Sequence, residues 1–509
     1  MIEIRLENKD YEQDIRPLMR AFFPREEIRV AYLPYDPEEE RREASAPVDL
    51  PENAPAYYIL AVRHTAEEVR AWFLDEKGTK MADSFTFPEP ETDRRQYKND
   101  MKRVLYRMLT GYTGRELPWG TLTGIRPVKL AADAIEAGEA EADVRAFYKT
   151  QYLCADEKAD LAMEIAVREN ELLKKLDYRN GYSIYVGIPF CPTTCLYCSF
   201  TSYPVGTYKK HVDAYLDALE KELDFAAYQM PGMLPGKKLQ TVYIGGGTPT
   251  ALTHEQLRRL ITMLREKFPM DQVAEFTVEA GRPDSITPEK LAVMKELGVT
   301  RMSINPQTMV QRTLDVIGRR HTVEQVHEAF HMARAAGMDD INMDLIIGLP
   351  GETVEDTKIT LEQVEALNPD DLTVHALAIK RAAKLKLKLD ELGDLMKTDA
   401  RSMQELTHGF AMQHGYRPYY LYRQKNIADN LENVGYARPG KEGLYNILMM
   451  EEKQTIVGLG AGSSCKFVFR EGDRIERTEN VKYVLDYIER IDEMIDRKKY
   501  FLTEFGQYL

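Results

Sequence analysis

The chain has 509 residues, of which 44% are hydrophobic and 29% are charged, and its net charge is −14. The length exceeds what a single hydrophobic core usually supports, so two to four domains are expected. The composition is that of a globular protein, and the negative charge argues against a broad basic surface for nucleic acid.

Neither end of the chain nor its interior predicts a membrane segment. No apolar run reaches the length that crosses a bilayer. The first ten residues, MIEIRLENKD, lack both the apolar stretch of a signal peptide and the Arg- and Ser-rich character of a transit peptide. We therefore expect a cytoplasmic protein without membrane insertion.

The first part of the chain, residues 1–175, predicts an α+β domain of unassigned role. Ala56–Arg63 and Val69–Leu74 are short apolar segments typical of strands. Helical spacing of apolar residues predicts a helix over about Arg94–Thr110 and a long helix over Asp156–Leu176. No catalytic group of residues stands out here.

The middle part, residues 176–385, alternates strands with helices. The predicted strands are Ser183–Ile188, Gln240–Ile244, Glu275–Glu279, Arg301–Ile304, Ile341–Ile347 and Asp371–Leu377. The helices between them are Thr207–Tyr228, Thr253–Lys267, Pro288–Leu297 and Thr322–Ala336. This alternation indicates a parallel sheet, and six units predict a partial (β/α) barrel in the α/β class.

The last part, residues 386–509, loses the alternation. Helices are predicted at Leu385–Met396, Asp399–His414 and Val481–Arg497, and strands at Tyr416–Arg423 and Thr455–Leu459. We expect a small C-terminal α+β domain that covers the substrate side of the barrel.

Three of the five cysteines, Cys191, Cys195 and Cys198, fall in the segment YVGIPFCPTTCLYC directly after the first barrel strand. A structural zinc site needs a fourth ligand, and the nearest candidate, His211, lies in a predicted helix. A disulfide framework suits small secreted domains rather than a chain of this size. The spacing favours a 4Fe–4S cluster that leaves one iron open, and Cys154 and Cys465 are expected to be buried and inert.

A second motif, Thr241–Thr250 (TVYIGGGTPT), places three glycines after the second barrel strand. Glycines let a backbone approach a ligand closely because no Cβ intervenes. Alone, the run is equally typical of a tight strand–helix turn. Beside an open iron, it favours a clamp on a polar, chelating ligand.

Together, the cysteine motif and Gly245–Thr250 (GGGTPT) resemble the radical S-adenosylmethionine (SAM) enzymes. The resemblance implies that the open iron binds the amino and carboxylate groups of SAM. It also implies that the reduced cluster cleaves SAM to a 5′-deoxyadenosyl radical, which abstracts hydrogen from the substrate. The protein then orients the cofactors and excludes water.

Four segments narrow the resemblance: Tyr185–Cys191, Val278–Ala280, Arg301–Gln307 and Asn342–Pro350. They are similar to the oxygen-independent coproporphyrinogen III oxidase group, most of all its coproporphyrinogen dehydrogenase branch, which has an extra N-terminal domain. The resemblance implies oxidative decarboxylation of coproporphyrinogen III to protoporphyrinogen IX. It also implies a one-electron donor such as flavodoxin or ferredoxin.

The resemblance implies SAM contacts at matching positions. These are Tyr185, Tyr197, Gly246, Gly247, Thr248, Glu279, Gln307, Arg319 and Asp344. Gly246 and Gly247 would bind the SAM amino group, Arg319 would pair its carboxylate, and the strand-end residues would hold the ribose or a second SAM. Structural alternatives remain open: a core position for Tyr185, solvation for Arg319, and helix N-termini as partners of the acidic residues.

Two basic segments are candidates for contacts with the substrate's propionates. His375, Lys380 and Arg381 follow the last barrel strand, whereas Arg423 and Lys425 follow an aromatic segment. The nearby lysines Lys384, Lys386 and Lys388 belong to the same basic run. A solvated helix face is the usual explanation for these lysines, and an edge strand is the alternative for the aromatic segment.

The chain departs from the group at two places. The dedicated oxidases have a further cysteine two residues after the third ligand, where this chain has Ser199 and Phe200. Haem-carrying relatives have a His-Asn pair where this chain has Tyr445 and Asn446. The alternatives are a haem-binding chaperone and a radical SAM enzyme that acts on haem by methyl transfer and ring opening.

Overall fold

The structure is a computed structural model, and it describes most of the chain. The described residues are 1–7, 9–24, 26–32, 58–64, 68–75, 80–86, 93–380, 382–424, 427, 430–469 and 474–509. They form two compact units. The first unit comprises Met1–Glu164 with Arg423–Glu432, and the second comprises Ile165–Tyr422 with Asn433–Leu509.

The first unit is an α+β structure. Its strands are β1 (Ile2–Leu6), β2 (Ile28–Tyr32), β3 (Tyr58–His64), β4 (Glu68–Leu74) and β5 (Lys80–Thr86). Its helices are Glu12–Phe22, Arg94–Thr113, Lys129–Glu136 and Glu141–Tyr152, followed by Asp156–Lys174, which continues into the second unit. The sheet order is β2-β1-β3-β4-β5, with β1 parallel to β2 and β3. Helix Arg94–Thr113 buries Met101, Leu105 and Leu109 in the core shared with Ile2 and Ile4.

The second unit contains the remaining strands and helices. Its strands are β6 (Gly181–Ile188), β7 (Phe190–Cys191), β8 (Tyr203–Pro204), β9 (Lys238–Gly246), β10 (Glu275–Glu279), β11 (Arg301–Ser303), β12 (Ile341–Ile347), β13 (Asp371–Ala376), β14 (Arg417–Tyr422), β15 (Asn433–Ala437), β16 (Thr455–Leu459), β17 (Ser464–Val468) and β18 (Ile475–Glu479). Its helices are Val205–Tyr208, Val212–Asp224, His254–Lys267, Pro288–Glu296, Gln311–Val316, Val323–Ala335, Val354–Leu367, Lys384–Leu387, Leu389–Leu392, Ala400–Gln413, Leu444–Met450, Val484–Glu489 and Ile491–Phe505.

The main sheet of the second unit is a partial (β/α) barrel. Its order is β14-β15-β13-β12-β11-β10-β9-β6-β16-β17-β18, and β6 and β9 to β13 are parallel in chain order. The fold class and the six predicted barrel strands are therefore confirmed. β16 adds a seventh parallel strand beside β6, while β14, β15, β17 and β18 pair antiparallel.

Local sequence signals set several helix starts. The side chains of Thr253 and Thr322 each accept a hydrogen bond from the backbone N–H of the third helical residue. The side chain of that third residue in turn accepts a bond from the backbone N–H of the threonine, which completes a capping box. Gly298 and Gly337 follow their helices with positive φ angles of 75° and 80°. The predicted starts at Thr253 and Thr322 are thus confirmed.

The boundaries of the compact units differ from the three expected parts. The first unit ends at Glu164 rather than near residue 175, because Leu173 packs with Tyr419 and Tyr420 of the second unit. Residues after 385 do not form a separate unit, because β15 pairs with β13 and β16 pairs with β6 in the barrel sheet. The division into three functional domains stays a prediction.

The predicted helix Leu385–Met396 is wrong as one element. The structure has two helices of one turn each, Lys384–Leu387 and Leu389–Leu392, and then a 3₁₀ turn from Gly393. Gly393 interrupts the segment with a positive φ of 43°. Within the described residues, we find no helix whose length and apolar character would let it span a membrane.

Candidate functional site

The three clustered cysteines lie in a loop at the carboxyl end of β6. Cys191 is the second residue of β7, and Cys195 and Cys198 follow in the loop. All three are free thiols; Cys191 and Cys195 are buried and Cys198 is partly exposed. Burial raises the pKa of Cys191 to about 11, although Thr248 Oγ1 lies 3.4 Å from its sulfur. A bound metal supplies the positive charge that such buried thiols need to ionise.

The glycine run packs directly against this cysteine loop. The Gly247 N–H donates to Ile188 O at 2.8 Å, and the Thr248 N–H donates to Phe190 O at 2.7 Å. A Cβ on Gly247 would lie 2.6 Å from Phe190 O, and Gly246 has a φ of 107°. The backbone amides of Gly247 and Thr248 therefore hold the cysteine loop in place. The SAM contacts implied at Gly246, Gly247 and Thr248 remain predictions.

Two buried arginines brace the cysteine loop from the other side. Arg282 donates to Thr193 Oγ1 at 2.9 Å and pairs both carboxylate oxygens of Asp284. Sequence reasoning missed this arginine, because a single Arg in a loop carries no local signal of its partners.

The second of these arginines is Arg319. It donates to Gly281 O and Asn305 O, each at 2.6 Å, and to the Tyr197 hydroxyl at 3.0 Å, while one nitrogen lies 4.0 Å from Cys195 Sγ. Its terminal nitrogens thus join Tyr197 of the cysteine loop to the carbonyls that follow β10 and β11, while its Nε has no hydrogen-bond partner among the described residues. Solvation of Arg319 is excluded, and the pairing with a SAM carboxylate stays a prediction.

A row of partly polar side chains shares one face of the barrel sheet. Strand register places them on the same side because paired residues of parallel strands point the same way. We call this row the polar face; its members are Tyr185, Tyr243, Glu279, Ser303, Asn342, Asp344 and His375. Of these seven side chains, Glu279 and Ser303 are the last residues of their strands, and His375 is the last but one of β13.

Three tyrosine rings are stacked at one side of the polar face. The Tyr185 and Tyr243 centroids are 6.1 Å apart with an interplanar angle of 18°, and Tyr445 stacks on Tyr243 at 4.5 Å and 22°. Tyr185 is therefore part of an aromatic stack, consistent with both a packing role and a wall for a bound group. Tyr243 and Tyr445 were not predicted, because their contact depends on a helix more than 200 residues downstream of β6.

Glu279 ends β10 on the polar face. Its Oε1 accepts a 2.6 Å hydrogen bond from the Tyr243 hydroxyl. Burial raises the pKa of Glu279 to about 7, and nearby Asp344 adds to the rise, whereas the bond from Tyr243 opposes it. A carboxyl group with this pKa both accepts and donates hydrogen bonds near neutral pH.

Asp344 lies in a hydrogen-bonded group on β12 and β13. Asn342 Nδ2 donates to Asp344 Oδ1 at 2.7 Å, and His375 Nε2 lies 3.7 Å from Asp344 Oδ2. Burial alone would raise the pKa of Asp344, but His375 and Asn342 outweigh it and hold the pKa below its ordinary value. On its other side, His375 Nδ1 lies 3.3 Å from the Tyr422 hydroxyl. Asp344 and His375, implied for different ligands, are thus direct neighbours.

Three polar side chains after β10 each have a buried oxygen atom that no described residue satisfies. Ser303 Oγ, Asn305 Oδ1 and Gln307 Oε1 are buried, and none has a hydrogen-bond partner among the described residues. Gln307 also has a φ of 70°, in the left-handed region that a non-glycine residue rarely adopts. Buried acceptors without partners cost stability unless a ligand or water satisfies them. Of these three, the sequence singled out only Gln307.

The predicted substrate contacts are not brought together. Lys380 is half-buried near the end of β13, and burial lowers its pKa. Arg381 and Lys425 lie outside the described residues.

Arg423 belongs to the first unit, and its guanidinium donates to the backbone carbonyls of Leu122, Asn430 and Leu431. Burial lowers the pKa of Arg423 to about 10. Arg423 is therefore a buried structural residue, and it is not proposed as a contact to the propionates.

The cysteine loop fits a cluster better than a single ion. Among the described residues, no group of three His, Cys, Asp or Glu side chains is arranged to hold one metal ion. In a 4Fe–4S cluster each cysteine binds a different iron, so the sulfurs do not converge on one point. The three free thiols and the glycine run that packs against their loop suit a 4Fe–4S cluster.

The chain is similar to one family model and to two kinds of curated protein, an oxidase-like protein and a haem chaperone. Residues 185–364 match the family model described as the radical SAM superfamily. The oxygen-independent coproporphyrinogen-III oxidase-like protein HemZ of Bacillus subtilis is 41% identical over 460 residues, which are 88% of this chain and 91% of that protein. The haem chaperone HemW of the same organism is 32% identical over 312 residues, covering 60% of this chain and 76% of that protein.

A solved structure supports the same grouping. Coproporphyrinogen III oxidase (HemN) from Escherichia coli, described as a radical SAM enzyme, aligns with a TM-score of 0.50 and 25% identity. The alignment covers 64% of this chain and 73% of that chain. This chain therefore shares its fold with that structure over the aligned part.

Proposed function

Since this chain belongs to the radical SAM superfamily, in the group of oxygen-independent coproporphyrinogen III oxidase-like proteins, we propose that it decarboxylates coproporphyrinogen III to protoporphyrinogen IX without oxygen. Its cofactors are a 4Fe–4S cluster and SAM. The observation that carries the proposal is the polar face with unpartnered acceptors beside three free cysteines.

The bound cofactors supply a radical that abstracts a hydrogen atom from the substrate, and the protein supplies binding and orientation. Cys191, Cys195 and Cys198 hold the cluster. Arg319 fixes the loop through Tyr197 and the carbonyls of Gly281 and Asn305. Because these contacts exist in the chain itself, the loop is preorganised for its ligand.

The acidic and amide groups on and beside the polar face suit the polar parts of SAM. Glu279, with its pKa near 7, accepts from a hydroxyl or ammonium group. Gln307 forms a β-bridge with Leu345, the neighbour of Asp344 in β12, and Gln307 Oε1 and Asp344 offer acceptors for ribose hydroxyls. Ser303 and Asn305 extend this set of acceptors along the same chain segment.

His375 and Lys380 are the basic groups proposed to meet the propionates. His375 lies between Asp344 and Tyr422, so its imidazole is held in orientation from both sides. Lys380 is half-buried with a lowered pKa, so an anionic partner would favour its charged form. Arg381 is proposed beside them from sequence alone.

The proposed reaction balances for each propionate side chain. One hydrogen atom leaves the carbon next to the ring, the carboxylate leaves as carbon dioxide, and one electron passes to an acceptor. The two remaining carbons become a vinyl group. Two such side chains react to give protoporphyrinogen IX. We propose a flavodoxin or ferredoxin as the electron donor and, because the cluster is sensitive to oxygen, the reducing cytoplasm as the location.

Anaerobic turnover tests the proposal. Reconstituted protein is incubated with SAM, a reductant and coproporphyrinogen III, and the products are identified by mass spectrometry. We expect protoporphyrinogen IX and 5′-deoxyadenosine in step with each other. Cluster-loaded protein that forms neither product would overturn the proposed activity.

A haem chaperone is the second candidate, because HemW of Bacillus subtilis is 32% identical over most of its length. The same incubation with haem distinguishes the two functions. Stoichiometric haem binding and transfer without 5′-deoxyadenosine would favour the chaperone. Methylated or ring-opened haem would instead favour radical chemistry on haem.

A further inference from the structure

The basic segment Lys384–Lys388 (KLKLK) lies directly against the cysteine loop. We propose that this segment is the docking surface for an acidic one-electron carrier protein that reduces the cluster; the proposal rests on the cluster assigned above. From the sequence alone, these lysines are either contacts to the propionates or part of a solvated helix face. The structure instead places them on the outside of the loop that contains Cys195.

A backbone hydrogen bond joins the two segments. The Leu385 N–H donates to Leu196 O at 2.8 Å, and Leu196 is the residue after Cys195. Leu385 is buried in one apolar cluster with Leu196, Leu314 and Ile317. An electron that enters at the basic segment therefore has a path of one hydrogen bond and a few covalent bonds to the Cys195 sulfur.

The charge of the segment contrasts with that of the protein. Lys384, Lys386 and Lys388 are exposed, whereas the whole chain has a net charge of −14. Among the described residues, no acidic side chain lies within ion-pair distance of Lys384 or Lys386, while Lys388 lies 3.5 Å from Glu391. A local positive surface on an acidic protein attracts an acidic partner to that surface, whereas the net negative charge of the chain repels it elsewhere.

Exposed apolar side chains adjoin the same loop. Leu387, between Lys386 and Lys388, is 85% exposed, and Phe200, two residues after Cys198, is 76% exposed. Side chains of this kind provide the desolvated centre of an interface, and surrounding lysines provide its charged rim. Weak, transient electron-transfer complexes combine a small apolar contact with charge steering.

The test compares two variants that change the net charge equally. K384E/K386E reverses two lysines of the basic segment. K221E/K499E reverses two exposed lysines on helices Val212–Asp224 and Ile491–Phe505, and it is the matched control. Stopped-flow absorbance follows reduction of the cluster in each holoprotein by flavodoxin hydroquinone, by a reduced ferredoxin and by dithionite, over a range of salt concentrations.

We expect K384E/K386E to lower the second-order rate of reduction by the carrier proteins about tenfold at low salt. The difference shrinks as salt screens the charges, and reduction by dithionite is unchanged. We also expect calorimetry to show weaker binding of flavodoxin to the oxidised K384E/K386E protein, and Leu387→Ser to weaken binding at all salt concentrations.

Three results would overturn the docking proposal: wild-type rates for K384E/K386E, an equal loss in K221E/K499E, or no reaction of the wild-type cluster with either carrier. None of these readouts uses coproporphyrinogen. A docking surface that fails is therefore distinguished from a decarboxylase assignment that fails, and a chain that binds no iron would show that the cluster assignment itself is wrong.

Discussion

The Tyr243 hydroxyl donates a 2.6 Å hydrogen bond to Glu279 Oε1 across the neighbouring strands β9 and β10. The same tyrosine ring stacks against the rings of Tyr185 and Tyr445. One residue therefore fixes both the acidic group of the polar face and the aromatic stack beside it. Its hydroxyl supports the ionised form of Glu279, against the burial that opposes ionisation.

Glu279 predicts a specific dependence of stability on pH. Its pKa of about 7 in the folded chain lies above its ordinary value of 4.5, so the folded state keeps a proton that the unfolded state loses. Stability from this group is full below about pH 4.5 and falls as pH rises to about 7. Urea unfolding of the cofactor-free protein should show wild type losing stability relative to Glu279→Gln over this range. Glu328→Gln, at an exposed helix position, is the control and should show no such trend.

Replacing the three clustered cysteines should remove the bound iron, whereas replacing Cys154 should not. Replacing Cys191, Cys195 or Cys198 with Ser removes a thiolate ligand and should abolish the absorbance of the reconstituted cluster. Cys154→Ser should keep the wild-type iron and sulfide content, because Cys154 is a buried thiol whose sulfur donates to Trp119 O in the first unit. Loss of iron in Cys154→Ser, or full iron in Cys195→Ser, would contradict the assignment of the ligands.

Gly247 predicts that one methyl group disturbs the cofactor site. A Cβ at this position would lie 2.6 Å from Phe190 O, so Gly247→Ala must push the glycine run away from the cysteine loop. We expect a stability loss of about 1–3 kcal/mol and at least tenfold weaker SAM binding by calorimetry. Gly409→Ala, in helix Ala400–Gln413 with open space at its Cβ, should be neutral or slightly stabilising. Unchanged SAM affinity in Gly247→Ala would exclude the glycine run from the site.

Ser303 predicts opposite effects on stability and binding. Its Oγ is buried without a partner among the described residues, so Ser303→Ala removes an unpaired polar atom and should leave the empty protein as stable or up to about 1 kcal/mol more stable. If a ligand normally satisfies this hydroxyl, affinity for SAM or for the porphyrinogen should fall about tenfold. Thermal unfolding and titration calorimetry measure the two effects separately. A destabilised variant with unchanged affinities would show a purely structural role.

Lys498 predicts a large structural effect away from the cluster. Its ammonium group donates to Glu222 Oε1 at 2.7 Å and is buried, and Glu222 also accepts from the Tyr487 hydroxyl and the Gly460 N–H. Lys498→Met leaves the Glu222 charge without its cation and should cost about 3–5 kcal/mol in chemical unfolding. Exposed Lys499→Met is the matched control and should stay within about 0.5 kcal/mol of wild type.

Local signals predicted much of the fold. The strands Glu275–Glu279, Ile341–Ile347 and Thr455–Leu459 have the bounds that their apolar pattern indicates. The sequence missed β17 and β18, which become strands through antiparallel pairing with each other at a sheet edge. It also predicted Leu385–Met396 as one helix, whereas in the structure the Leu385 N–H donates to Leu196 O in the cysteine loop.

Side-chain partners were harder to predict than strands. Arg319 and Arg423 are the same type of residue, and their sequence neighbours do not indicate their partners. Arg319 stabilises the cysteine loop, whereas Arg423 donates to backbone carbonyls of the first unit. Each outcome depends on residues far along the chain, such as Gly281 for Arg319 and Leu122 for Arg423. Composition and spacing carry no information about such pairs.

The sequence by itself determined the three clustered cysteines proposed as cluster ligands, the alternation of strands and helices, and the family, because these depend on residue types at short, fixed spacings. Only the tertiary structure decided which polar groups are satisfied within the protein and which await a ligand. Ser303 Oγ and Asn305 Oδ1 are buried without partners among the described residues, whereas the Gly247 and Thr248 N–H groups are bonded to the cysteine loop. Hydrogen bonding in a buried site depends on distances between strands that lie far apart in the chain, and folding alone sets those distances.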